Sequence, residues 1–183
     1  MTPVRRRIGD RWLELVIGDI TTERVDAAGN AANAALRGGG GVDGAIHAAA
    51  GPGLIAELRQ RHPDGTPTGS AVASGGHDLP ARWVIHAVGP VWRGGAHREA
   101  EQLAAAYRST LAAADELGAR TLALPAISLG VYGYPLDEGA RIAVDNVAEH
   151  LSAETGLDLV RFVLRDQTWD AFVRALDARI GQA

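Results

Sequence analysis

Cysteine and lysine are both absent from the 183-residue chain. Without cysteine there can be no disulfide, no thiol nucleophile and no thiolate zinc site, and the composition suits a reducing compartment. Without lysine there is no Gly-Lys-Ser or Gly-Lys-Thr phosphate loop, which argues against nucleoside triphosphate hydrolysis. Positive charge is in short supply too: the net charge is −4, so no overall field draws in nucleic acid or an anionic membrane. Only Arg5, Arg6 and Arg7 form a small basic patch. No apolar stretch is long enough for secretion or for spanning a bilayer. These absences favour a cytoplasmic protein with neither membrane nor nucleic acid as partner, in which any anionic ligand must be met by local donors.

Glycine, by contrast, is abundant. The 23 glycines cluster at 38–41, 51–53, 75–76, 94–95 and 130–133. With 46% hydrophobic and 22% charged residues, the rest is globular composition, and no linker or repeat divides residues 1–183 into more than one domain.

The apolar run Trp12 to Ile17, ended by Gly18 and Asp19, reads as a buried strand, with a helix start at Thr21. Val25 to Asn30 makes a weaker strand because Ala27, Ala28 and Gly29 have little strand propensity. Helices follow over Val42 to Ala50 and Leu54 to Arg61, then strands over Ser70 to Ser74 and Trp83 to Val88. The second half alternates: helix Arg98 to Leu117, strand Thr121 to Leu124, helix Leu136 to Ser152, strand Leu159 to Leu164, helix Trp169 to Ile180. This order predicts an α/β fold, a three-layer α/β/α sandwich on a mixed, mostly parallel sheet with helices on both faces. Ligands of such sheets bind beyond the carboxyl ends of the strands, which directs attention to Gly18-Asp19-Ile20, Asn30 to Asp43 and Pro125 to Tyr134.

The first constellation is Asn30-Ala-Ala-Asn33 followed by Gly38 to Gly41, Val42 and Asp43. Consecutive glycines expose backbone N–H groups, and a helix starting at Val42 turns its positive end toward a phosphate; the plainer alternative is a flexible loop. Gly39, Gly41 and Gly44 satisfy G-x-G-x-x-G, but Asn33 to Arg37 separate them from the preceding strand, so a Rossmann fingerprint is rejected. Asp43 stands where it can act as a general base or cap the helix. His47, four residues on, shares its face and is either a supporting partner of Asp43 or structural. The second constellation, Ser128-Leu-Gly130-Val131-Tyr132-Gly133-Tyr134, repeats the logic with aromatics added; Tyr132 reads as an ordinary loop aromatic more readily than Tyr134. The histidines show no ligand spacing, so no metal is expected.

With Gly18-Asp19-Ile20-Thr21, Asn30 to Asn33, Gly38 to His47, His86 to Trp92 and Pro125 to Pro135 in place, residues 11 to about 180 resemble the macrodomain family in its MacroD-like branch. The resemblance implies an ADP-ribose ligand, no cofactor, and an enzyme that removes ADP-ribose from mono-ADP-ribosylated proteins at acidic side chains or deacetylates O-acetyl-ADP-ribose. It implies Asp19 and Ile20 at the adenine, Gly39, Gly40, Gly41 and Val42 on one side of the diphosphate, and Ser128, Gly130, Val131, Tyr132 and Gly133 on the other. Asn33 would hold the distal ribose, Tyr134 would pack on it, and Asp43 would activate a water there. Arg165 stands where an aromatic often covers the adenine, and Ala28 and Gly29 replace two bulky aliphatics, so the central strand is expected to pack less well. The rival reading is a non-catalytic reader of ADP-ribose or ADP-ribosylated proteins.

Overall fold

The alternation of apolar runs with helical periodicities resolves into one sheet covered on both faces. A computed structural model of the chain describes residues 1–181. The strands are β1 (Val4–Ile8), β2 (Arg11–Ile17), β3 (Ala27–Ala31), β4 (Ala71–Gly75), β5 (Trp83–Ala87), β6 (Thr121–Leu124) and β7 (Leu159–Leu164). Their spatial order is β1-β2-β7-β6-β3-β5-β4. The inner strands β2, β7, β6, β3 and β5 are parallel, and β1 and β4 pair antiparallel at the two edges.

Side-chain alternation along the strands feeds two cores. In β7, Val160, Phe162 and Leu164 point to one face and Val163 to the other; in β5, Ile85 and Val84 divide the same way. The larger core packs α3 (Glu99–Glu116), α4 (Leu136–Ser152) and α5 (Asp166–Ile180) through Tyr107, Val144 and Phe172. The smaller packs α1 (Gly41–Ala50) and α2 (Pro52–Arg61) through Ile46, Leu54 and Leu58. The architecture is the expected three-layer α/β/α sandwich.

Three local features depart from the sequence pattern. The edge strand β1 carries no sequence signal, because three consecutive arginines conceal its period; Val4 and Ile8 nevertheless pack on the core, while Arg6 reaches Asp177 at 2.8 Å and Arg5 covers the Trp12 ring at 4.0 Å. No α-helix begins at Thr21. Asp19 caps a single 3-10 turn, Ile20–Thr22, and the chain then extends at Glu23 to enter β3. Nor is β3 loosely packed: a Cβ on Gly29 would lie 3.0 Å from Leu124 Cδ2 and 3.1 Å from Pro125 Cδ. At Gly29, β6 and its following loop close directly onto β3 and already occupy the space a larger side chain would take.

Candidate functional site

Four strand ends converge on one cleft. Gly18 follows β2, Asn33 follows β3, Ala126 to Tyr132 follow β6, and Arg165 follows β7. The main cavity has a volume of about 530 Å³; Asn33, Gly39 to Asp43, Ser128 and Gly130 to Tyr132 form its two glycine-rich walls. A smaller recess of about 90 Å³, lined by Ile20, Val42, Leu129, Val163 and Thr168 among others, continues from it, and Arg165 and Gln167 border both.

The wall built from β3 and α1 is the more strongly specified. α1 starts at Gly41 behind an N-cap glycine with no side-chain cap, so the first-turn N–H groups opening on the cleft carry the positive end of the helix dipole. Asn33 donates from Nδ2 to Gly38 O at 2.8 Å and accepts from Arg37 N at 3.3 Å, which shapes the glycine loop. Asp43 is buried, and its Oδ1 accepts from Asn30 Nδ2 at 2.7 Å rather than from a helix N–H. His47 Nε2 approaches the same oxygen at 3.3 Å. Its other oxygen, Oδ2, lies against Gly39, where a Cβ would stand 3.2 Å from it and 3.6 Å from Asn33 Nδ2. Asp43 and Asn33 therefore both face Gly39 of the glycine loop, with one Asp43 oxygen anchored and the other turned to the loop.

Behind Asp43 runs a buried polar chain that sequence reasoning passed over. Asn30 and His86 are register partners on β3 and β5, both fully buried, with Asn30 Nδ2 3.1 Å from His86 Nδ1. His86 Nε2 is 2.9 Å from Ser74 Oγ. Burial, with the neighbouring His47 second, pushes the His86 imidazole down to about 3, so it is neutral.

The opposite wall is held from below. The buried Tyr107 hydroxyl accepts from Ile127 N at 2.9 Å, pinning the start of the loop after β6. Glu99, also buried, accepts from the N–H groups of Arg93, Gly95 and His97, and Trp92 N donates to Tyr132 O at 2.9 Å, tying the two segments together. Ser128 adopts φ 66°, a left-handed conformation uncommon for a non-glycine residue, and its buried Oγ has no hydrogen-bond partner among the described residues. Val131 is 93% exposed at the tip.

Of the two tyrosines, one stands at the cavity as the resemblance implies and the other does not. Tyr132 lines the cavity. Tyr134 is buried beneath it, edge-on to Trp92 at 4.8 Å, with its hydroxyl donating to Glu138 at 3.2 Å. The turn closed by Gly133 N to Gly130 O and Tyr134 N to Ser128 O directs the second aromatic into the core. Gly133 likewise is not among the cavity-lining residues. Leu129 packs against Gly139 and reaches only the recess. Asp19 stands exposed at the rim, its Oδ1 taken by the Thr21 hydroxyl and N–H, which hold its carboxyl below the usual range; the Arg165 charge adds to this. Gln167, Thr168, Ala126 and Gly89 join the lining without having carried a sequence signal.

Residues 29–143 match the Macro domain family model. This chain is a macrodomain. The macrodomain is 52% identical to a macro domain-containing protein of Streptomyces coelicolor over 90% of this chain and 98% of that one. It is 50% identical to an O-acetyl-ADP-ribose deacetylase of Klebsiella pneumoniae over 89% and 94% of the two chains. Among solved structures it resembles the Oceanobacillus iheyensis macrodomain with ADP, at a TM-score of 0.92 and 38% identity over 98% and 97% of the two chains. A Trypanosoma brucei macrodomain in complex with ADP-ribose is similar at 0.82 and 37%, over 90% of this chain and 68% of that one. Within this macrodomain, the cleft lies where an α/β sheet of this order places a ligand.

Proposed function

We propose that this macrodomain binds ADP-ribose and hydrolyses an ester at its distal ribose, removing ADP-ribose from acidic side chains of modified proteins or acetate from O-acetyl-ADP-ribose, in the cytoplasm. The observation that carries the reading is Asp43: a buried carboxylate anchored through Oδ1, with Oδ2 against Gly39 in the glycine loop that, with Asn33, lines the cleft. Supporting it are the deacetylase name of a relative at 50% identity and the ADP-ribose named with a structural neighbour.

In this reading the diphosphate lies between the N-terminus of α1 and the Ser128 to Tyr132 loop. Backbone N–H groups and the unpartnered Ser128 hydroxyl replace basic side chains there. Arg165, which borders both cavity and recess, stacks on the adenine or pairs with phosphate. Asn33 donates to the distal ribose hydroxyls. Asp43 orients a water and takes its proton as the ester carbon is attacked, and the leaving group departs with a proton from solvent. Asn30 and His47 keep the carboxylate fixed while this happens.

The test pairs calorimetry with ADP-ribose and a hydrolysis assay on O-acetyl-ADP-ribose and ADP-ribosyl-glutamate. Binding accompanied by turnover supports the hydrolase. Binding without turnover makes the protein a reader, and absence of binding removes both readings.

A further inference from the structure

The two hydrogens of the Asn30 amide are both committed. One goes to Asp43 Oδ1 at 2.7 Å, and the other faces His86 Nδ1 at 3.1 Å. That contact is a hydrogen bond only if Nδ1 is the unprotonated nitrogen of a neutral ring, which puts the His86 proton on Nε2, toward Ser74 Oγ at 2.9 Å. The Ser74 hydroxyl in turn donates to Gly75 O at 3.1 Å. Every donor in this buried row then meets an acceptor, from the edge strand β4 through β5 and β3 to α1. Turning the amide over would set its oxygen against the Asp43 carboxylate and, in this tautomer, against the His86 lone pair as well, so carboxylate and imidazole together admit one amide orientation.

We propose that His86 is a positioning residue: by accepting from Asn30 it fixes the orientation of that amide and thereby the Asp43 carboxylate in the cleft. The proposal rests on the hydrolase reading for its catalytic consequence, although His86 touches no substrate. A histidine kept only for packing would contribute to stability and leave turnover per folded molecule alone. A positioning histidine acts on kcat, because a carboxylate free to rotate spends less time oriented toward its water.

The experiment compares wild type, His86→Leu and His86→Asn. Leucine fills the space and removes the acceptor, whereas asparagine places Oδ1 near the former Nδ1. His86→Leu is expected to lower kcat by about tenfold or more, with KM and the ADP-ribose dissociation constant within about threefold, and His86→Asn to regain most of the loss. In parallel, ¹⁵N chemical shifts of the wild-type imidazole are expected to show a neutral Nε2–H ring across neutral pH. Wild-type turnover by a folded His86→Leu, equal impairment of both variants, or an Nδ1–H or doubly protonated ring would each overturn the proposal. If His86→Leu does not fold, the nitrogen shifts and His86→Asn decide. Absence of turnover in the wild type would contradict the hydrolase reading, and the nitrogen shifts then judge the relay by themselves.

Discussion

Asn30 and Asp43, thirteen residues apart in sequence, are joined by a buried 2.7 Å hydrogen bond that links the inner strand β3 to the first turn of α1. Removing the donor leaves both Asp43 and His86 short of a buried partner. Asn30→Ala is expected to destabilise the fold by about 1–3 kcal/mol. Asn30→Asp, which sets a second carboxylate against the first, should be worse. Chemical denaturation measures the stability; equal midpoints for all three proteins would show that the bond contributes nothing.

Tyr132 and Tyr134 should separate affinity from stability. Tyr132→Ala is expected to weaken ADP-ribose binding with little change in melting temperature. Tyr134→Ala empties a core position and should cost about 3–5 kcal/mol of stability. Calorimetry and thermal melts on the two variants give the comparison, and the opposite assignment of effects would show that the loop rearranges in solution.

Placing a bulky aliphatic in β3 should harm the protein rather than help it. Gly29→Val would force its side chain into Leu124 and Pro125, whose atoms stand 3.0 and 3.1 Å from the position of a Cβ. Overpacking of this kind costs about 1–3 kcal/mol. A higher denaturation midpoint in the variant would mean that β6 yields more readily than its packing indicates.

Asp26 ties the start of β3 to β6. Burial alone would raise its carboxyl, but the N–H groups of Arg120 and Thr121 and the Thr121 hydroxyl outweigh it and hold the group below its ordinary value. A carboxyl depressed in the folded state contributes stability that is full above its unfolded value of about 3.9 and is lost as pH falls through the lower folded value. Melting temperatures recorded from neutral to acid pH should therefore fall less steeply below about pH 4 for Asp26→Asn than for wild type, from a lower starting point. Parallel curves would remove Asp26 as a source of the acid sensitivity.

Much of this architecture can be read from the chain. The runs in β2, β6 and β7 and the periodicity of α3 and α4 mark their elements directly, and the Asn33, Gly38 to Asp43 and Ser128 to Tyr132 segments announce a loop cleft at strand ends. What could not be read depends on geometry that sequence spacing does not encode. β1 is hidden because Arg5, Arg6 and Arg7 obscure the alternation of Val4 and Ile8. The roles of Tyr132 and Tyr134 hinge on a turn closed by Gly133 N and Tyr134 N. The partnership of Asn30 with His86 exists only through the β3–β5 register, 56 residues apart.

The measurement that bears most directly on the proposed hydrolase is turnover of O-acetyl-ADP-ribose or ADP-ribosyl-glutamate by Asp43→Ala, with ADP-ribose affinity measured on the same sample. Loss of turnover by about 10²-fold or more, with the dissociation constant within about threefold of wild type, is the expected result for a carboxylate that serves the water rather than the ligand. A variant that binds and turns over like the wild type would contradict it and assign the chemistry elsewhere in the cleft.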